Sequence, residues 1–179
     1  MRDWNVLITV HEKAYGRVRN LLNEFGPIQR TEFFNVLIMR CSYVDEMLTR
    51  LSEKIAADPS ILTHLARLIP VTDIFSFQTP EEFQAKAKEI ALSFVEKLQG
   101  KSFHVRMHRR GFKGKISTVE EERMLNEAIL KSLEELGTPG HLNFEDPDAI
   151  LAVETLGQQA GFSIWTREEL NKYPFLKLT

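Results

Sequence analysis

Two short apolar runs place the strongest constraint on how this chain can fold. Residues 5–10 read Asn-Val-Leu-Ile-Thr-Val and residues 34–39 read Phe-Asn-Val-Leu-Ile-Met. Each run has the length of one β-strand, and neither shows the strict alternation of a strand that faces water on one side. We therefore predict that both runs form strands in the middle of a sheet, where both faces are covered.

The segments around these runs predict two helices and two weaker strands. Apolar residues recur at helical spacing in the helical segments, and Gly26-Pro27 and Asp58-Pro59 end them. The helices are predicted over residues 14–25 and 44–55, and the weaker strands over residues 28–33 and 71–77. The order strand, helix, strand, strand, helix, strand is the ferredoxin-like split βαβ arrangement, which places the first and third strands centrally. We assign residues 1–78 to an N-terminal ferredoxin-like domain of α+β class.

A second α/β domain is predicted over residues 79–179. Thr79-Pro80-Glu81-Glu82 is a strong helix start, because it combines a capping Thr, a Pro at the first helical position and a Glu three residues after the cap. The further predicted elements are a helix to Gly100, a strand over 101–110, a helix from Ser117 or Thr118 to Leu136, strands near 142, 150–155 and 160–165, and a short helix from Thr166. The mixture of strands and helices makes the whole chain an α+β protein.

Positive charge is concentrated in one segment of this second domain. Residues 101–117 contain six Lys/Arg and two His but no acid, although the formal net charge of the chain is only -2. In the rest of residues 80–179, eight Lys/Arg face sixteen Asp/Glu. A surface of this kind attracts a polyanion at one place and repels it elsewhere, whereas a protein that coats nucleic acid indiscriminately is more often basic overall.

Strand alternation sorts the basic segment into two faces. Phe103, Val105 and Met107 fall on one face, and His104, Arg106, His108 and Arg110 fall on the other. The segment Gly111-Phe112-Lys113-Gly114-Lys115 follows as a loop, and a helix N-terminus comes next, where free amides favour anions. The candidate polyanion-binding residues are Arg106, His108, Arg109, Arg110, Lys113 and Lys115.

Two of these assignments have alternatives. The basic strand is also explained as a solvated sheet edge whose cations block aggregation. Phe112 is either a stacking platform for a base or an anchor that holds the loop. The sequence leaves both questions open.

Motifs for catalysis or metal binding are incomplete. Gly100-Lys101-Ser102 resembles the end of a phosphate-binding P-loop, but Val95 stands where the earlier Gly is needed and a helix precedes the strand. His104 and His108 have the spacing of a zinc-protease helix, but Val105 replaces the catalytic Glu, and in a strand the two side chains lie about 13 Å apart. We predict no catalytic residue, no metal site and no cofactor, and hence no enzyme activity.

Cysteine content and hydropathy bear on the compartment. Cys41 is the single cysteine, so the chain cannot form an internal disulfide. No run of eighteen apolar residues and no signal-peptide pattern is present. We expect a cytoplasmic protein that does not contact a membrane.

Residues 80–166 resemble a THUMP domain. The resemblance is carried by Phe103–Arg110, Gly111–Gly114, Leu142–Asp148, Ile150–Glu154 and Ala160–Phe162. The ferredoxin-like unit before them is similar to the domain that usually precedes THUMP in tRNA-modifying proteins. The ending, Thr166–Glu169 with Tyr173–Phe175, is similar to the stand-alone type that presents tRNA to the cytidine acetyltransferase.

The resemblance implies a function. It implies that the two domains hold the acceptor stem and 3′ end of tRNA. Arg167, near the start of the last predicted helix, is a further candidate RNA-binding residue. Because the sequence contains no methyltransferase, thiolation or pseudouridine synthase domain, it implies a non-catalytic adaptor and a separate tRNA-modifying enzyme as partner. The alternatives are a small enzyme for a phosphorylated metabolite, with loop 111–115 as phosphate cradle, and a protein-interaction module that uses the acidic helix faces.

Overall fold

The computed structural model describes residues 1–178 and groups them into two compact units. The first unit contains residues 1–71 together with residues 170–177, and the second contains residues 72–169 and 178. The boundary near residue 79 stays a prediction. No helix in residues 1–178 is both long enough and apolar enough to cross a bilayer.

The first unit is an antiparallel four-stranded sheet with two helices. Its strands are β1 (Val6–Val10), β2 (Ile28–Arg30), β3 (Val36–Met39) and β4 (Leu65–Pro70), in the order β2-β3-β1-β4. Its helices are α1 (Tyr15–Leu22) and α2 (Val44–Ala57), with 3-10 turns at Asn23–Phe25 and Pro59–Thr63. The first and third strands are central and buried, as their continuous apolar runs predict, so the ferredoxin-like α+β prediction is confirmed.

The strand predicted over residues 71–77 differs from the structure. The fourth strand of the first sheet is β4, which buries Leu65, Leu68 and Ile69. The segment after it forms β5 (Asp73–Ser76), which joins the sheet of the second unit. Phe75 explains this placement, because its ring lies 5.9–6.1 Å from three other aromatic rings of the second unit.

The second unit has a mixed five-stranded sheet. Its strands are β5, β6 (Ser102–His108), β7 (His141–Leu142), β8 (Ala149–Leu156) and β9 (Gln159–Thr166), in the order β5-β9-β8-β6-β7. Strand β6 is parallel to both of its neighbours, and β9 is antiparallel to β8 and β5. Its helices are α3 (Pro80–Leu92) and α4 (Thr118–Glu135), with a 3-10 turn at Val95–Leu98. The last helix, α5 (Arg167–Lys172), has residues 167–169 in this unit and residues 170–172 in the first.

Helix caps and strand alternation fix the core of the second unit. The hydroxyl of Thr79 accepts a hydrogen bond from the amide of Glu82 and so caps α3, as predicted. Phe103, Val105 and Met107 lie together in the hydrophobic core that includes α3 and α4. The predicted inward face of the basic strand is therefore confirmed.

Candidate nucleic-acid interface

The opposite face of β6 is much less exposed than its alternation predicts. His104 is only 3% exposed, and the neighbouring β8 residues Ile150 and Ala152 are also buried. The imidazole lies with Nδ1 2.9 Å from the carbonyl oxygen of Asn143, and its ring centroid lies 5.3 Å from that of Phe144. His104 therefore does not belong to an exposed cationic row, because an interior strand of a sheet can be covered on both faces.

A buried carboxylate occupies the C-terminal end of this face. The parallel register pairs His108 with Glu154, which is fully buried. Oε2 of Glu154 lies 2.9 Å from Nη1 of Arg110, and Oε1 lies 3.6 Å from Nδ1 of His108. Both basic groups therefore face a buried acid, and the Arg110 side chain is itself only 13% exposed.

Backbone contacts fasten Arg110 further. Its amide donates to the hydroxyl of Thr155 at 3.0 Å, and its carbonyl accepts from the amide of Gly157 at 2.7 Å. Arg110 thus links the end of β6 to the β8–β9 hairpin. These contacts give Arg110 a structural role in the second unit.

Arg106 is intermediate between a paired and a free cation. Its Nε donates to the carbonyl of Leu178 at 3.1 Å, and its Nη1 lies 4.0 Å from Oε2 of Glu122. The same carboxylate oxygen accepts a hydrogen bond from the amide of Met107. With 44% of its side chain exposed, Arg106 can still reach an external anion.

The loop after β6 is held at two apolar points. The ring centroid of Phe112 lies 5.2 Å from that of Phe77, and Ile116 is buried in the core. The amides of Lys115 and Ile116 both donate to the carbonyl of Phe112, which itself has a left-handed φ of 53°. Phe112 therefore serves as a loop anchor, and its ring is partly buried in this position.

Lys113 and Lys115 are exposed between these anchors. Within residues 1–178, no carboxylate lies within ion-pair distance of either lysine. Arg109 directs Nη1 to the carbonyl of Gly111 and likewise has no acidic partner in this range. We call Arg109, Lys113 and Lys115 the loop cations.

The start of α4 already contains carboxylates of its own. The hydroxyl of Ser117 accepts from the amide of Glu120 at 3.3 Å, and Glu120 and Glu121 lie in the first turn. Glu121 is buried: Oε1 accepts from Nε2 of Gln84, while Oε2 has no partner among the described residues. Burial raises the pKa of Glu121, and the hydrogen bond from Gln84 opposes this. The carboxylates of this first turn oppose an anion at the helix terminus, whereas the loop cations have no acidic partner within residues 1–178.

Arg167 is held by the acidic turn that precedes β8. Its Nε lies 2.7 Å from Oδ1 of Asp146, and its Nη1 lies 3.3 Å from Oδ1 of Asp148. The bond to Asp146 raises the pKa of Arg167. The backbone amide of Ser102, followed by its hydroxyl, lowers the pKa of Asp148. Arg167 thus closes a local network around the turn.

Glu154 is the residue that inspection of the sequence missed. A signal for it is present, since Glu154 is the one acid in the apolar run from Ile150 to Thr155. An acid in a strand buried on both faces requires a partner, and the basic strand is the source that the fold supplies. The register of β6 against β8 is what makes the pairing specific.

Comparisons with known proteins place this fold among several solved structures. No protein-family model matches the chain, and no curated protein matches its sequence. PH1313 from Pyrococcus horikoshii Ot3 has a TM-score of 0.60 at 12% identity, over 90% of this chain and 54% of that one. TrmN from Thermus thermophilus has a TM-score of 0.61 at 17% identity, over 90% of this chain and 44% of that one.

A third solved structure is an RNA complex. A 4-thiouridine synthetase bound to RNA and ATP has a TM-score of 0.51 at 16% identity, over 92% of this chain and 42% of that one. The chain therefore spans roughly half or less of the length of each of these proteins. It shares with each of them the fold of its two units, a ferredoxin-like sheet followed by a THUMP-type α/β sheet.

Proposed function

We propose that this chain binds tRNA and that the loop cations grip its phosphate backbone. The observation that carries the proposal is the absence of acidic partners for Arg109, Lys113 and Lys115 within residues 1–178, on a loop anchored by Phe112 and Ile116. An anchored loop loses little conformational freedom on binding, so less of the attraction is offset by ordering. The RNA complex of a protein with the same fold supports this type of ligand.

Phosphate contacts of this kind position an RNA without reading its sequence. Double-stranded RNA is recognised mainly through its shape, its phosphates and its ribose hydroxyls, and lysines on a loop suit that mode of recognition. We propose the acceptor stem and 3′ end of tRNA as the region bound, because the THUMP resemblance implies it. Arg106 is a secondary contact, and His108, Arg110, Phe112 and Arg167 contribute through the structure that they hold.

The finer proposal is an adaptor that presents tRNA to a separate modification enzyme, such as a cytidine acetyltransferase. It rests on the sequence resemblance to the stand-alone THUMP type. Co-purification of the chain from its own cells, followed by sequencing of the bound RNA and identification of bound protein, tests it. Recovery of tRNA without any modifying enzyme would contradict the adaptor role.

The alternative of a phosphorylated-metabolite enzyme is not favoured. Such an enzyme needs an enclosed site in which a phosphate cradle and a general acid or base face the same ligand. Lys113, Gly114 and Lys115 are all exposed to solvent. An open surface of this kind suits a large polyanion better than a small molecule.

The salt dependence of tRNA binding tests the proposed function. We expect the double variant Lys113→Ala/Lys115→Ala to reduce the slope of log affinity against log salt concentration by roughly 1.5, because two phosphate contacts are lost. The matched control is Lys88→Ala/Lys131→Ala, which removes two exposed lysines from α3 and α4. Equal slopes for the two double variants, measured by filter binding, would move the RNA site away from the loop.

A further inference from the structure

We propose that the first unit contains a second binding site, a pocket for a single unstacked nucleotide whose base has an exocyclic amino group. The pocket is a cavity of about 510 Å³ lined by residues 12, 13, 15 and 30–37. It is bounded by the β1–α1 loop on one side and the β2–β3 hairpin on the other. This volume is within the range of small-molecule sites. The inference goes beyond the proposed function and does not depend on the loop cations.

The hairpin tip presents an aromatic ring. Phe34 is 81% exposed, although the backbone around it is well fixed. The hydroxyl of Thr31 accepts a hydrogen bond from the amide of Phe33 at 3.1 Å and donates one to the carbonyl of Val36 at 2.8 Å. The carbonyl of Asn35 accepts a hydrogen bond from the amide of Val10 at 2.9 Å. A single exposed ring is ordinary in itself. A ring on a fixed turn at the edge of a cavity, however, offers a face on which a base can stack.

Backbone strain marks the same cavity. Lys13 has a φ of 65° and Asn35 a φ of 59°, and the third non-glycine residue with positive φ in the described part of the chain is Phe112. Two of these three residues therefore line this pocket, one on each side. Such conformations cost energy and concentrate at ligand sites.

Cations without acidic partners supply a phosphate contact. The guanidinium of Arg30 lies 3.6 Å from the centroid of the Tyr15 ring, and Nη1 of Arg19 donates to the Tyr15 hydroxyl at 3.2 Å. For Lys13, Arg19 and Arg30, no carboxylate among the described residues is within ion-pair distance. Stacking on Tyr15 orients Arg30 in advance, so a phosphate meets a positioned cation at the pocket edge.

Two carboxylates in the lining restrict the ligand. Glu12 and Glu32 line the cavity, and neither pairs with a cation in the part of the chain that the structure describes. A carboxylate accepts hydrogen bonds from the amino group of cytosine or adenine, whereas uracil has no such group. The negative charges of the two acids also repel a run of several phosphates. The combination favours one amino-bearing nucleotide over a length of duplex.

Titration of the isotope-labelled full chain with mononucleotides, followed by NMR, tests this site. We expect CMP and AMP to shift the amide signals of residues 12–15 and 30–36 and UMP to bind at least about threefold more weakly, because it lacks the amino group. Phe34→Ala should weaken CMP or AMP binding about tenfold, since the base loses the aromatic ring on which it stacks. Phe34 is exposed, so this variant should keep its fold, which the unchanged spectrum of the remaining residues verifies.

Controls separate this site from the loop. Tyr43→Ala, which removes a 75% exposed ring elsewhere in the first unit, should leave nucleotide binding unchanged, and so should Lys113→Ala/Lys115→Ala. Tighter binding of the trinucleotide ApApA than of AMP would identify RNA as the source of the nucleotide, and equal binding would identify a free nucleotide. Equal loss in Phe34→Ala and Tyr43→Ala, or no shift of the pocket signals at millimolar nucleotide, would overturn the inference.

Discussion

Strand β6 and the loop that follows it use the same kinds of basic side chain in opposite ways. At the end of the strand, His108 and, two residues beyond it, Arg110 lie against the buried Glu154. In the loop, Lys113 and Lys115 have no acidic partner among residues 1–178 and are exposed. A cluster of cations that is continuous in sequence is thus divided in space into a group that holds the fold and a group that is free for a ligand.

The cause of this division is the position of the strand in the sheet. β6 has β8 beside it, and β8 is buried on both faces, so a charged group there needs a partner with good geometry. Arg110 lies just beyond the last paired residue of β6 but stays bonded to Glu154 and Thr155 of β8, whereas Lys113 and Lys115 lie farther along the loop, where water solvates a charge at little cost. Proximity in sequence therefore does not establish a shared function for basic residues.

The largest effect is expected when the ion pair between Glu154 and Arg110 is broken. Glu154→Ala should lower the free energy of unfolding by about 3 to 5 kcal/mol, because it leaves Arg110 largely buried without its carboxylate. Lys113→Ala, the control from the loop, should change it by less than about 0.5 kcal/mol. Urea unfolding of both variants measures the difference. A loss in Glu154→Ala as small as that in the control would show that the two groups of cations do not differ.

A smaller effect is expected at the acidic turn, which extends the comparison to Arg167. Asp148→Asn weakens the hydrogen bonds from Ser102 and should cost about 1 kcal/mol. Asp146→Asn, in which the 77% exposed carboxylate is lost, should cost less than about 0.5 kcal/mol.

The effect of Asp148 should also depend on pH. The pKa of Asp148 is lowered in the folded state. Its contribution to the free energy of unfolding is therefore complete above the unfolded-state pKa of about 3.9 and is lost as the pH falls through the folded-state pKa. The difference in stability between the wild type and Asp148→Asn should therefore shrink in acid. A difference that stays constant from neutral pH to pH 3 would contradict this role for the carboxylate.

Features encoded by local pattern could be predicted from the sequence. The apolar runs identify β1 and β3 as central strands, Thr79 marks the start of α3, and alternation places Phe103, Val105 and Met107 in the core. Each of these features depends on residues that are close together in the chain. Periodicity and capping chemistry are enough to read them.

Features that depend on distant partners could not be predicted in this way. The pairing of Arg110 with Glu154 joins residues 44 positions apart and requires the parallel register of β6 and β8. The burial of His104 depends on Asn143 and Phe144. The fourth strand of the first sheet is β4 and not the predicted segment 71–77, because part of that segment, β5, pairs in the sheet of the second unit. For the candidate site, sequence identified the basic segment but not which of its cations are free.

Charge reversal in the loop tests the central claim most directly. We expect Lys113→Glu/Lys115→Glu to abolish measurable tRNA binding at physiological salt while its urea unfolding curve stays that of the wild type. In the proposed function these exposed lysines contact the RNA, and neither has an ion pair within residues 1–178. The same reversal at Lys88 and Lys131 should reduce the affinity only slightly, through the change in net charge. Equal tRNA affinity in the two reversed variants would contradict the assignment of RNA binding to the loop cations.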